Sequence, residues 1–544
     1  MAPMSRPAEV SAAEPDRATS AFNRRLFLAR TATITAAVAA GAAAAPVAAS
    51  AWSGRTPKFN DAAYAKPRPE ALADPTELTV AEAAWMIRYG KLKPADLVEA
   101  HLSRISAYDA VYQAFNTVLA DQARAAAKAA GRRTPSTPLH GIPLAIKDNY
   151  WTQGVRTTAN SYLFQDFVPP YDATAVARLK KAGAIVLGKT QMGPLATTRA
   201  TTPDGRITTV NAWTPGNPAT DPGGSSTGTA TSVAGRMATS GTGTQTGGSI
   251  TAPSNAQNLT GLKPTMGRVS LAGIIPLSYT RDHPGTLARD ARDAAIMMTA
   301  MAGEDPADPR TQGLPEVPDL IGAATPVVSR GRCRVRTKVR VGVLPGYAAD
   351  PARQAFLDAL DKIDGISLAD VPFPDQWDLL TGTEFNNVRL PERSEPFMPY
   401  LRSDLRGFGV SVTGWLQGAL LGAGEFITGQ RAKLLLLERV LEQVFAKCDV
   451  VVQTSPVPFD ILGLPEIGFP IGFTAAGVPI GTILGGPPYE EDRLLSVVGA
   501  YQAVTDWHHR RPADPVAPAA SARSLTAAGD RGRLTAEDVA DQMQ

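Results

Sequence analysis

The sequence predicts an α/β fold of three α/β/α layers around a large mixed, mostly parallel central sheet. Short apolar runs rich in β-branched residues are typical of buried strands, and they occur at Ile185 to Leu187, Val339 to Leu344 and Val450 to Val452. They alternate with helical patterns such as residues 172–181, which favours a sheet covered by helices. The 544 residues, 44% hydrophobic and 19% charged, suffice for a large packed core.

Residues 1–51 predict a twin-arginine-type export signal. Arg24 and Arg25 begin the pattern, and an alanine-rich stretch follows from Thr31 to Ala49. Small residues suit cleavage before Trp52, and retention as an anchor is the alternative. We therefore expect a secreted or cell-envelope protein that meets the twin-arginine export machinery, with residues 52–75 as an N-terminal linker.

Two helices are predicted at the start of a single domain that spans 76–512. Thr79 and Glu82 have the spacing of a capping box, Gly90 can end that helix, and Pro94 suits the first turn of the next. Residues 513–544, rich in Pro, Ala and Ser before a charged end, predict a mobile tail.

Three residues could form a catalytic site without histidine. An apolar run ends at Lys147 and predicts a buried strand, while Ser225 and Ser249 lie in glycine-rich loops. A serine hydroxyl needs a base within hydrogen-bond reach. Burial would keep a lysine uncharged and able to be that base.

The loop before Ser249 contains candidate oxyanion donors at Thr246, Gly247 and Gly248. Glycines let backbone N–H groups converge where a side chain would block them. Taken alone, each serine loop is also typical of an ordinary Gly/Thr-rich turn.

Other motifs compete with this site. Residues 224–228 fit a G-x-S-x-G elbow with Ser226 as nucleophile, but Pro218 and Pro222 disfavour the strand that should precede it.

None of the five histidines lies beside a serine loop, and no repeated metal-ligand spacing occurs. No cofactor, metal or nucleic acid is expected, the last because the net charge is only +3. Cys333 and Cys448 could pair or remain separate.

Two later segments have open interpretations. The arginine-rich residues 330–340 indicate a solvated linker face. Residues 376–440, with scattered aromatic side chains, are a candidate substrate cap, and ordinary core packing is the alternative. No substrate-binding residue is predicted.

Lys147, Ser225 and Ser249, together with the run from Gly261 to Ser270, resemble the amidase signature family. The resemblance extends from about Thr76 to Pro512 and implies the α/β/α fold. It also implies that Ser249 attacks the acyl carbon, that Ser225 relays protons, and that neutral Lys147 is the base. In this family the relay serine has a cis peptide bond, and we expect the same at Ser225. The chain has Gln245 and Thr227 where this family usually has Asp and Gly, and we expect Gln245 to hold the loop.

The function predicted from the residues and the resemblance is an exported serine amidase that hydrolyses a small-molecule or peptide-like carboxamide through an acyl-enzyme. An esterase with the same site and a non-catalytic binding protein of the same fold are the alternatives. A tRNA-linked transamidation subunit shares the signature but requires cytoplasmic partners, so the export signal disfavours it.

Overall fold

The computed structural model describes residues 57–382 and 389–516. The predicted export signal and the tail beyond residue 516 lie outside the described residues. Within the described ranges, no helix has the length and apolarity needed to cross a membrane.

A twelve-stranded sheet forms the centre of the domain. Its strands are β1 Phe115–Val118, β2 Pro143–Lys147, β3 Ile185–Thr190, β4 Ser240–Gln245, β5 Thr260–Lys263, β6 His283–Ala288, β7 Val327–Ser329, β8 Arg332–Val343, β9 Asp364–Asp370, β10 Val450–Gln453, β11 Glu466–Phe473 and β12 Pro479–Gly485. Their order is β1-β3-β2-β4-β6-β5-β11-β12-β10-β8-β7, with β9 paired to β8.

The sheet is mixed, which confirms the predicted fold class, but the expectation of mostly parallel pairing is wrong. Among the described strands, four pairings are parallel, those of β2 with β3, β2 with β4, β8 with β9 and β8 with β10. The other seven are antiparallel. Short connections such as that between β11 and β12 can only join antiparallel neighbours, because a parallel pair needs a long crossover.

Helices flank the sheet. They are α1 Val80–Arg88, α2 Pro94–Tyr112, α3 Ala120–Ala130, α4 Thr174–Lys181, α5 Thr227–Ala234, α6 Thr251–Ala256, α7 Ala291–Met301, α8 Leu320–Ala323, α9 Pro351–Leu360, α10 Trp377–Thr381, α11 Arg389–Ser394, α12 Met398–Leu401, α13 Val412–Leu420, α14 Ala423–Arg439, α15 Phe459–Leu462 and α16 Glu491–Val504. The predicted capping box is present at α1, and Pro94 begins α2.

Strand β2 shows how the layers are built. Leu144 and Ile146 belong to the hydrophobic cluster that includes α7 and α16, whereas Ala145 belongs to the cluster that includes α5. Successive side chains of a strand point to opposite faces, so both faces of the sheet are covered. The same alternation places Lys147 on the Ala145 face, toward α5.

The segment that contains the candidate cap has an aromatic core of its own. Phe397, Phe408 and Trp415 are almost fully buried and pack with Ala196 and Leu277. These aromatic side chains therefore hold the segment together, in agreement with the core-packing alternative.

Two other segments differ from what their composition suggested. Most of the arginine-rich residues 330–340 lie in strand β8, whose exposed arginines alternate with buried Cys333 and Val335. Part of the predicted linker also packs on the domain, because Ala63 and Ala71 lie in the main core. Cys333 and Cys448 are both free and buried.

Candidate active site

Lys147 lies at the carboxyl end of β2 with its side chain fully buried. Burial lowers the pKa of the Lys147 amine well below its ordinary value, and the nearby Asp282 carboxylate only partly opposes this. An ammonium ion is costly in such surroundings, so the uncharged amine is favoured.

Four oxygen atoms surround Lys147 Nζ. Ser225 Oγ lies at 2.8 Å, Ser226 Oγ at 2.9 Å, Thr244 Oγ1 at 2.8 Å and the Thr244 carbonyl oxygen at 3.2 Å. An uncharged amine has two N–H donors and one lone pair. Thr244 and Ser226 can accept the two donors, and the lone pair is then available for the hydroxyl proton of Ser225.

Both Ser225 and Ser226 immediately precede α5, which brings them to the end of β2. The Gly224–Ser225 peptide bond is cis, as the family resemblance implied. Ser226 Oγ donates to the carbonyl oxygen of Ser249 at 2.5 Å. Ser226 thus links Lys147 to the loop that carries Ser249, a role that the sequence pattern did not indicate.

Ser249 precedes α6 and lines an open cavity of about 430 Å³. Thr246 and Gly247 line the same cavity, while the predicted Gly248 is next to Ser249 with φ of 107°. Within the described part of the chain no hydrogen bond joins Ser249 directly to Ser225.

The loop from Thr246 to Ser249 has free backbone donors. No acceptor among the described residues takes a hydrogen bond from the N–H groups of Thr246, Gly247 or Gly248. The loop itself is anchored elsewhere, because Thr246 Oγ1 donates to Asp282 Oδ1 at 2.5 Å. Such unpaired donors beside a nucleophile can stabilise an oxyanion.

Gln245 holds the Ser249 loop from the other side, as the sequence predicts. Its Oε1 accepts hydrogen bonds from the N–H groups of Ile250 at 2.9 Å and Thr251 at 3.0 Å. Its Nε2 donates to Glu466 Oε2 at 2.7 Å. Both ends of the amide are therefore used, and the residue after Ser249 is tied to strand β11.

Thr227, the other departure from the family pattern, has a structural role. Its Oγ1 donates to the Gly223 carbonyl oxygen at 2.8 Å and accepts from the N–H of Ala200 at 2.9 Å. The hydroxyl thereby braces the loop that carries Ser225.

Two arginines of α11 also line the cavity, Arg389 and Arg393. The sequence pattern did not single them out, and their only signal is the spacing of four residues, which places two side chains on one face of a helix. Glu466 was missed as well, because nothing in its local sequence indicates that it meets Gln245.

Two buried histidines have partners other than the candidate serines. The ring of His101 contacts the Arg236 carbonyl oxygen at 2.9 Å and Thr239 Oγ1 at 3.1 Å, and that of His283 contacts the Arg281 carbonyl oxygen at 2.7 Å. Neither ring hydrogen-bonds to one of the candidate serines. The described ranges contain no group of three or more His, Cys, Asp or Glu side chains that could hold a metal ion.

Comparison with known proteins gives a consistent result. A family model described as Amidase matches residues 96–376. The glutamyl-tRNA(Gln) amidotransferase of Roseiflexus sp. (strain RS-1) has a subunit that is 36% identical over 490 residues, which cover 81% of this chain and 99% of that protein.

Solved structures of peptide amidases share the fold. A peptide amidase in complex with the competitive inhibitor chymostatin has a TM-score of 0.70 and 27% identity, covering 80% of this chain and 99% of that one. The native peptide amidase of Stenotrophomonas maltophilia has a TM-score of 0.66 and 27% identity, covering 83% of this chain and 100% of that one.

Proposed function

The chain belongs to the amidase signature family, and we propose that it is an exported serine amidase that hydrolyses a carboxamide through an acyl-enzyme on Ser249. One observation carries the proposal. The buried Lys147 amine lies 2.8 Å from Ser225 Oγ, beside a cavity that Ser249 lines together with unpaired backbone donors.

In the first half of the reaction, Ser249 Oγ attacks the amide carbonyl carbon and its proton passes to Ser225. The Ser225 proton moves at the same time to Lys147 Nζ, which becomes an ammonium. The carbonyl oxygen becomes an oxyanion that the N–H groups of Thr246, Gly247 and Gly248 stabilise.

Collapse of this intermediate breaks the C–N bond. Lys147 returns the proton through Ser225 to the leaving nitrogen, which departs as ammonia or an amine and leaves the acyl ester on Ser249. Water then attacks the ester with the same base, and the acid product leaves with Ser249 restored. An amine leaving group needs this proton more than an alcohol does, which supports an amidase over an esterase.

A second candidate is an amidotransferase subunit, because the Roseiflexus relative carries that name at 36% identity. Arg24 and Arg25, with the alanine-rich stretch behind them, support export and therefore oppose this candidate. A non-catalytic binding protein of the same fold is opposed by the presence of Lys147, Ser225 and Ser249 in one place.

Labelling by a fluorophosphonate, read by intact mass and peptide mapping, tests the chemistry. We expect one adduct on Ser249, none in Ser249→Ala, and hydrolysis of simple amides by the purified chain without added subunits. An adduct on Ser226 would instead support the elbow motif. Absence of both labelling and hydrolysis would support the binding-protein alternative.

Export is tested separately by fusing residues 1–51 to a folded reporter. Export of the reporter should require the twin-arginine machinery and be lost in Arg24→Lys/Arg25→Lys. A reporter that remains in the cytoplasm would remove export from the proposal and strengthen the amidotransferase candidate.

A further inference from the structure

We propose that the acyl part of the substrate ends in an anionic group of the carboxylate class, and that Arg389 and Arg393 bind it. The inference rests on the proposed amidase function and adds the substrate class. Its basis is the position of both arginines, the lack of an ion pair at either among the described residues, and the fixed orientation of Arg393.

Both arginines line the cavity that Ser249 lines. Arg389 lies directly against the loop of candidate oxyanion donors, because a Cβ on Gly247 would be 3.3 Å from Arg389 Nη1. One small substrate molecule could therefore contact both the Arg389 guanidinium and the Ser249 hydroxyl.

Two other cations nearby, Arg281 and Lys263, have carboxylate partners. Arg281 Nη2 lies 2.8 Å from Asp460 Oδ2, and Lys263 Nζ lies 3.8 Å from Glu466 Oε2. Lys433 donates to the Thr280 carbonyl oxygen at 3.2 Å, and Glu392 is the strongest charge acting on it.

Arg389 and Arg393 are different. Within 57–382 and 389–516, neither makes an ion pair, and Arg393 Nε is buried without a hydrogen-bond partner. Burial, followed by the charge of Arg389, lowers the pKa of Arg393 to about 10. Burial and the charge of Arg281 lower the pKa of Arg389, and the Asp460 carboxylate, which pairs with Arg281, only partly opposes this. A bound anion would offset the remaining positive charge of the two partly buried arginines.

Arg393 is also held in place. The guanidinium of Arg393 stacks over the ring of Trp415 at 4.4 Å, and Trp415 is fully buried. Two guanidinium groups on one helix face present N–H pairs that match the two oxygens of a carboxylate. This preorganisation favours a carboxylate over a neutral polar group.

The substrates of this class are monoamides of dicarboxylic acids, in which the amide and the carboxylate lie at opposite ends of a short chain. The probes are the monoamides of malonic, succinic, glutaric and adipic acid, each compared with its neutral diamide. We expect kcat/KM to be at least about tenfold higher for the best monoamide than for its diamide, as charge-assisted hydrogen bonds allow. The difference should arise mainly in KM and shrink with added salt.

Arg389→Gln and Arg393→Gln should each lower this monoamide-to-diamide ratio about tenfold or more. Arg402→Gln, at an exposed arginine of the same segment, is the matched control and should keep the wild-type ratio. Wild-type preference for every diamide, or an unchanged ratio in both variants, would overturn the proposal while leaving the amidase function intact.

A binding measurement separates this inference from the proposed function. Ser249→Ala is titrated calorimetrically with each monoamide and diamide. If Ser249→Ala binds a monoamide and Ser249→Ala/Arg393→Gln binds the same monoamide more weakly, the anion site is supported even if turnover is absent. No difference between monoamides and diamides in this titration, with Ser249 labelled by fluorophosphonate in the wild type, overturns the anion site alone.

Discussion

Gln245 Nε2 donates to Glu466 Oε2 across 2.7 Å, and this bond joins the strand before the Ser249 loop to β11. An amide can donate to a carboxylate with one end while it accepts from two backbone N–H groups with the other. A carboxylate at position 245 could not donate to an ionised Glu466. The departure from the family pattern at Gln245 is therefore matched by the acceptor that faces it.

Gln245→Glu should make the free energy of unfolding fall more steeply with rising pH than it does in the wild type. Burial raises the pKa of Glu466 well above its ordinary value, and a second carboxyl beside it would favour one shared proton. The folded-state pKa of the pair is then above the unfolded value, so stability is present at low pH and lost as pH rises through the folded pKa. The check is urea unfolding of wild type and variant from pH 5 to 9.

The control for this variant is Gln245→Met, which removes the hydrogen bonds without adding a charge. It should lower kcat at every pH and cost about 1–3 kcal/mol in the free energy of unfolding. If Gln245→Glu and Gln245→Met show the same pH dependence, the explanation from a shared proton is wrong.

The activity of the wild type should rise with pH as Lys147 loses its proton. Burial lowers the pKa of Lys147, so the rise in kcat/KM must lie well below the ordinary lysine value of about 10.4. Lys147→Ala should stay folded and lose roughly 100- to 10,000-fold in kcat/KM, the usual contribution of a general base.

A second lysine must be separated from this effect, because burial also lowers the pKa of Lys433 to about 8. Lys433→Met should retain the same rising limb if Lys147 is the base. If the rise in kcat/KM with pH disappears in Lys433→Met, the titrating group is Lys433, and the assignment of the base to Lys147 is wrong.

Ser226→Ala should lower kcat by about tenfold, less than Ser225→Ala. The Ser226 hydroxyl connects Lys147 Nζ to the Ser249 carbonyl oxygen but has no place in the proton path. Ser232→Ala is the matched control, since Ser232 Oγ donates only to the Thr229 carbonyl oxygen of the same helix. Stopped-flow acylation rates measure all three, and a Ser226→Ala rate equal to wild type would deny Ser226 a positioning role.

Trp415→Ala should cost about 3–5 kcal/mol in the free energy of unfolding, as expected for a buried aromatic side chain. Trp415 is fully buried, with ring centroids 5.0 Å from Phe397 and 5.4 Å from Phe408. Leu420→Ala, at a side chain 78% exposed, should change stability by less than about 0.5 kcal/mol. Urea unfolding midpoints compare the two, and equal small losses would show that the aromatic cluster contributes little to folding.

Local patterns were sufficient to predict several parts of the molecule. The apolar run before Lys147 predicts a buried strand end, because only burial makes such a run favourable, and β2 is fully buried. The capping box at Thr79 and Glu82 involves residues three apart, so its hydrogen bonds form within the segment that encodes them. The glycines beside Ser225 and Ser249 likewise mark loops whose backbone a side chain would obstruct.

The sequence by itself thus predicted the fold class, the three candidate catalytic residues and the loop that carries the candidate oxyanion donors. Tertiary structure alone decided that Glu466 meets Gln245 and that Ser226 links Lys147 to Ser249. It also decided that Arg389 and Arg393 line the cavity and that antiparallel pairs predominate among the described strands. Each of these contacts joins residues distant in the chain. Their pairing depends on strand order and register, which the summed packing of the whole core selects and no local pattern records.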